Sequence, residues 1–137
     1  MKLVLEIITP TKVVLKEEVD EITLPTLNGE ISILPNHVNL FTKISPGEMV
    51  IRRNNKQDLF AITGGFLEIS NNNVNILADH AIHSADIEIT KAQEAQERAR
   101  QAMKNKEDRR AYLTAEADLR KALLELKVAK KHKTPKS

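Results

Sequence analysis

The stretch Asp79–Thr90, DHAIHSADIEIT, separates two kinds of periodicity in this chain. Before it, apolar residues alternate at period two, the pattern of half-buried strands. After it, they recur at steps of three and four, the pattern of helices with one packed seam. Two architectures therefore meet at a short joint, and the sequence predicts an α+β chain. It consists of an N-terminal β-sandwich of short strands over 1–87 and a C-terminal antiparallel α-helical hairpin over 88–137.

Upstream of the joint, turn signals come at short intervals: Thr9-Pro10-Thr11, Asn28-Gly29, Pro35-Asn36, Pro46-Gly47, Asn54-Asn55, Gly64-Gly65 and Asn71-Asn72-Asn73. Such punctuation points to a sandwich or barrel. Between the turns, Leu3, Leu5 and Ile7 share one strand face. So do Ile22 and Leu24, Ile31 and Ile33, Leu67 and Ile69, and Val74 and Ile76. Phe66–Ser70 and Val74–Leu77 read as a hairpin about the asparagines. Val19 is out of phase with Ile22, which places a bulge or break near Asp20. Gly64-Gly65 reads as a tight bend or close backbone approach. As a phosphate loop it is weak, since no Lys-Ser/Thr follows it.

Downstream, Thr90 with Gln93 fits a capping box, which predicts Thr90 as the N-cap of a first helix. Ala92, Ala95, Ala99 and Ala102 form its seam. Asp108 is placed to cap a second helix, whose seam is Tyr112, Ala115, Leu119, Ala122, Leu126 and Ala129. Alanine buries little area, so two alanine-rich seams bind each other weakly. The pair is expected to be able to open as a unit.

Composition narrows the function. The 137 residues contain no cysteine, which removes disulfides, thiolate nucleophiles and Cys-ligated zinc. Aromatics make up 3% and there is no Trp, a poor basis for stacking on single-stranded nucleic acid. The opening KLVLEII, interrupted by Glu6, reads as a strand rather than a signal peptide. No apolar run approaches the ~18 residues of a membrane span, so a soluble, non-exported chain is expected. His80-x-x-His83 lacks a third ligand at suitable spacing, and no serine or threonine sits in a nucleophile elbow. A binding or coupling protein is expected rather than an enzyme.

Charge is unevenly divided. Residues 1–87 hold seven Lys/Arg against eleven Asp/Glu, and residues 88–137 hold fourteen against eight. Lys127, Lys130, Lys131, Lys133 and Lys136 close the chain without an intervening acid. This tail reads either as a solvated C-terminus or as a basic prong for an acidic surface.

Three stretches together resemble the ε subunit of F-type ATP synthase. They are Gly29–Leu40 (GEISILPNHVNL), Gly64–Ile69 with Asn73–Asp79 (GGFLEI, NVNILAD), and Ala122–Ala129 (ALLELKVA). Ser32 and Asn36 stand where that family usually has glycine, and Asn39 where it has proline. The resemblance covers essentially the whole chain. It implies a sandwich of about ten strands followed by a helical hairpin, in a non-catalytic subunit of the rotating central stalk.

The resemblance further implies that the subunit couples proton flow through the c-ring to ATP synthesis via γ. The sandwich would bind γ and rest on the c-ring, with Glu30 facing the ring and His37 and Thr42 near γ. The hairpin would inhibit ATP hydrolysis by extending toward the β (and α) subunits. There Arg120, Lys121, Lys127, Lys130 and Lys131 of the second helix would meet an acidic segment of β.

The implied location is peripheral, on the cytoplasmic face of the bacterial cell membrane, or alternatively the stromal side of a thylakoid membrane. Some family members bind regulatory ATP in the folded hairpin. The corresponding positions here are Glu88, Lys91 and Ala92 on the first helix and Lys121 on the second. Lysines replace arginines, and Glu125 reverses a charge. Lysine lacks the bidentate guanidinium fork, so no ATP cofactor is expected. From different classes, a basic-armed nucleic-acid-binding module and a chaperone-like scaffold remain as alternatives. The acidic strand half and sparse aromatics oppose the former, and no nucleic-acid partner is expected.

Overall fold

A computed structural model describes residues 2–133, the last two by backbone alone. The Lys133 side chain and Lys136, both assigned to the basic tail, lie outside the described residues. The chain divides into two units, 1–83 and 84–137.

The first unit has ten strands: β1 Leu3–Ile8, β2 Val13–Val19, β3 Glu21–Thr26, β4 Gly29–Ile33, β5 Leu40–Ile44, β6 Gly47–Arg53, β7 Lys56–Ile62, β8 Gly65–Ser70, β9 Asn73–Ala78 and β10 Ala81–His83. They hydrogen-bond in the order β10-β7-β6-β3-β5-β8-β9-β1-β2, with β4 added to β3. β2 comes round beside β6, where Arg53 pairs with Glu17. The sheet thus folds over on itself, and its inward faces enclose one core. Leu3, Leu5, Ile7, Ile22, Leu24, Ile33, Leu67, Ile69, Val74 and Ile76 are all buried there. These include every alternating set read from the sequence except Ile31, which packs at the margin.

Local chemistry explains the connections. Asn54-Asn55 and Asn71-Asn72 have φ of 50° and 66°, and 49° and 66°. Asparagine tolerates this left-handed region, and two such residues make the turn that matches strand twist in a two-residue hairpin. The chain breaks at Asp20 between β2 and β3, as the phase of Val19 requires. Gly65, at φ +140°, passes so close to β9 that an added Cβ would lie 2.1 Å from the Leu77 carbonyl oxygen. That is the close approach expected of Gly64-Gly65. Most pairings are antiparallel, but β1 and β9 run parallel, with Val4 opposite Asn73 and Ile8 opposite Leu77.

The second unit has a 3-10 turn at Ser84–Asp86, then α1 Ile89–Ala102 and α2 Arg109–Lys133. The two helices pack together, and the 3-10 turn packs on α2. The expected N-cap is corrected. Glu88, not Thr90, is the N-cap, with extended backbone and no side-chain cap bond. The ladder starts earlier because the 3-10 turn leads straight into it: Ile87 N–H donates to Ser84, and Ala92 N–H to Glu88. Asp108 does cap α2, accepting from the Ala111 N–H at 3.1 Å. The α2 seam has Ala115, Ala122, Leu126 and Ala129 buried, with Tyr112 and Leu119 half-buried. On α1 only Ala92 and Ala99 are buried. Ala95 is half-buried, and Ala102, beside the turn, is exposed and drops out of the seam.

Candidate functional site

In a strand with one wet face, outward positions are normally polar. Four strands here break that rule together. Register aligns Phe66 of β8 with Leu77 of β9, Leu77 with Ile8 of β1, and Ile8 with Val13 of β2. On the flanking β5, Phe41 stacks on Phe66 with ring centroids 5.8 Å apart and planes 19° from parallel. The result is an apolar stripe across five strands. Phe41 is 66% exposed, Phe66 46% and Leu77 53%. A chain with only three phenylalanines leaves two of them at its surface. Scattered exposed apolar residues need no explanation, but a contiguous aromatic-centred stripe marks an interaction face. Lys43 and Glu68 stand opposite Phe66 and Phe41 respectively, giving the stripe a charged margin.

The residues expected to function fall in separate places. Glu30 is exposed at the start of β4, beside a turn that presents Leu27 to solvent. His37 lies beyond the other end of β4, whose last residue Ile33 is roughly 10 Å of strand from Glu30 at ~3.3 Å per residue. Its ring Nδ1 lies 2.8 Å from the Val38 carbonyl oxygen, and its backbone N–H donates to the Leu34 carbonyl. Thr42 is half-buried on β5, on the opposite face of the strand from Phe41. Of these, His37 and Thr42 flank Phe41 in the chain, while Glu30 stands apart.

On α2, Arg120, Lys127 and Lys131 step by seven and four residues and so lie along one line of the helix. All three are exposed. Lys130 is exposed to one side of this line, and Lys121, half-buried, lies to the other. Arg120 also reaches Glu116 at 3.4 Å. Near the start of α1, Lys91 pairs with Glu88 at 3.2 Å, so its ammonium already has a carboxylate beside it. Ala92 is buried in the seam. A groove of about 370 Å³ between the helices is lined by Gln93, Gln96, Leu123, Leu126, Lys127 and Lys130. Glu88, Lys91 and Lys121 are not part of that lining.

The stripe itself was not anticipated from sequence. Its trace there is the run of consecutive apolar residues at Ile7-Ile8, Val13-Val14, Leu40-Phe41, Phe66-Leu67 and Ile76-Leu77, which makes both faces of a strand apolar.

Residues 2–84 match the family model described as ATP synthase, Delta/Epsilon chain, beta-sandwich domain. The chain belongs to the ATP synthase epsilon-chain family. It is 42% identical over 130 residues to the ATP synthase epsilon chain of Herpetosiphon aurantiacus, covering 95% of this chain and 96% of that one. It is 37% identical over 122 residues to the chloroplastic epsilon chain of Pinus koraiensis, covering 89% of each. Its fold matches a chain in the Euglena gracilis mitochondrial ATP synthase OSCP/F1/c-ring structure with a TM-score of 0.73 at 25% identity. That match covers 87% of this chain and 76% of the other. Among the described residues, no helix is long and apolar enough to cross a membrane.

Proposed function

We propose that this chain is a non-catalytic rotor subunit of an F-type ATP synthase, docked on γ through the Phe41–Phe66–Leu77 stripe. The observation that carries this is an exposed aromatic pair on the sandwich of an epsilon-family chain. A second protein surface gives those rings an apolar environment, and aromatic anchors of this kind dominate interface energetics. His37 and Thr42 flank Phe41 and lie at the edge of the γ contact. Glu30 and its turn face the polar loops of the c-ring. In this role the sandwich couples proton flow through the ring to ATP synthesis via γ. The chain sits peripherally on the cytoplasmic face of a bacterial membrane.

The helical unit is a brake on ATP hydrolysis. Its seam is held largely by alanines, which contribute little burial each. When the hairpin opens, the Arg120–Lys127–Lys131 line, with Lys121 and Lys130 beside it, meets an acidic segment of the β subunit. ATP does not bind tightly in the folded hairpin, since Lys91 is paired with Glu88 and no arginine fork is present. Isothermal titration returning micromolar affinity for ATP would reverse that point.

The test of the whole reading is ATP hydrolysis by an α/β/γ head lacking this subunit. Full-length chain and a version ending at Ile87 are each added back. Both are expected to co-elute with γ, and only the full chain is expected to inhibit. Binding of both without inhibition would remove the brake from the account. Binding of neither would overturn the rotor assignment.

A further inference from the structure

The loop over 34–39 joins β4 to β5 and carries two exposed apolar side chains, Leu34 at 52% and Val38 at 74%. Phe41 of the stripe follows Val38 after two residues. A connection this short and this exposed ordinarily keeps much of its backbone freedom, since few contacts offset the entropy of ordering it. This one is tied near both ends to the β8–β9 turn. The Asn36 backbone N–H donates to Asn72 Oδ1 at 2.6 Å. The Asn71 backbone N–H donates to Asn39 Oδ1 at 3.3 Å. The two bonds run in opposite directions, and His37 and Val38 lie between the tied residues.

The turn is the fixed side of this latch. Asn71 and Asn72 are its central residues, both at positive φ, and Ser70 pairs with Asn73 across it. The Asn72 carbonyl also accepts from the Val4 N–H of β1 at 2.8 Å. A two-residue hairpin turn closes through the residues that flank it, so the Asn71 N–H and the Asn72 carboxamide stand outside the ladder. Both are engaged with the loop instead. Within the loop, the His37 backbone N–H donates to the Leu34 carbonyl at 3.2 Å and adds a local turn.

We propose that Asn39 and Asn72 are positioning residues for docking on γ, their carboxamides pre-ordering the loop so that His37 and Val38 are presented together with Phe41. This rests on the reading that the sandwich docks on γ through the stripe. It adds a second contact element and the two side chains that fix it. A loop ordered before binding spares the complex the cost of ordering it. Apparent affinity then scales with the fraction of chains in the competent form.

The test is equilibrium binding of the full chain to γ, with amide exchange in the free chain as the direct report on the latch. Asn72→Gly suits a turn residue at φ 66° and removes the acceptor, whereas Asn72→Asp tolerates that φ and keeps it. Asn39→Ala and Asn39→Asp make the same comparison without touching the turn. Asn72→Gly is expected to speed exchange of the Asn36 N–H, and Asn39→Ala that of the Asn71 N–H. Each is expected to weaken binding roughly 2- to 12-fold, the range spanned by one net hydrogen bond. Each aspartate variant is expected to restore both readouts. Faster exchange with wild-type affinity would overturn the proposal and leave docking through the stripe standing. Unchanged exchange, or aspartate variants as weak as their glycine and alanine counterparts, would overturn it likewise. Failure of the wild-type chain to bind γ would overturn the docking reading, and the proposal with it.

Discussion

Gly65, paired with Ala78 across β8 and β9, runs so close to Leu77 that a methyl group on Gly65 would lie 2.1 Å from the Leu77 carbonyl oxygen. The same strand segment carries the Leu77 side chain outward to the apolar stripe. The closest approach of β8 to β9 therefore lies next to an exposed member of the stripe.

Gly65→Ala is expected to be severely destabilising. The new Cβ meets backbone rather than a movable side chain, and φ of +140° is strained for any L residue. Gly29→Ala is the comparison. Its φ is +106°, but nothing lies within 4 Å of the added carbon, so only the conformational cost of about 1–3 kcal/mol applies. Urea unfolding should show Gly29→Ala with a lowered midpoint and Gly65→Ala lower still or unfolded. Equal midpoints would contradict the contact.

Asp20 gives the sandwich an acid-side dependence. The Asn54 backbone N–H donates to its carboxylate at 2.9 Å and, with the nearby Lys2 ammonium, holds its pKa below the ordinary carboxylate value. The folded state thus binds this proton less readily than the unfolded state. The stabilisation is complete above the usual carboxylate range and is lost as pH falls through that range to the depressed value. Asp20→Asn should flatten this part of the stability–pH curve. The two proteins should converge in acid and separate at neutral pH, as followed by urea midpoints at fixed ionic strength.

If the helical unit is the proposed brake, the exposed line of Arg120, Lys127 and Lys131 makes its action electrostatic. Reversing all three to glutamate should abolish inhibition of hydrolysis without weakening binding to γ. In the unmodified chain, inhibition should fall as salt rises. Exposed charges are screened over ~8 Å at physiological ionic strength, and over less as salt is added. Inhibition assays across a salt series check both outcomes, and a salt-independent brake would remove the basic line from the mechanism.

The inward half of the sandwich was legible because each strand records its own buried face. Leu3, Leu5 and Ile7 or Val74 and Ile76 carry that information within a single run, and all five are buried. The stripe was not legible because no single strand holds it. Phe66 and Leu77 look like interruptions of alternation until the register places them side by side with Ile8. That register includes a parallel pairing between β1 and β9, segments separated by most of the sandwich sequence. Turn chemistry was readable at Asn71-Asn72, where residue type and backbone angle have the same cause. The capping signal at Thr90 misled because the preceding 3-10 turn delivers the Glu88 carbonyl to the Ala92 N–H first. On the helices, the α2 seam and the Asp108 cap followed from spacing alone. Positions such as Glu30 and His37 came only from the family resemblance, since nothing in a surface residue's own chemistry declares what it faces.

The most direct measurement is equilibrium binding of the full chain to γ, comparing wild type with the Phe41→Ser, Phe66→Ser double variant. Both rings are largely outside the core, so the variant should unfold at nearly the wild-type urea midpoint. Its affinity for γ should fall at least tenfold, since loss of a buried aromatic anchor costs about 2 kcal/mol or more. Wild-type affinity in a normally folded double variant would contradict the docking face. Failure of the wild-type chain to bind γ would contradict the assignment itself.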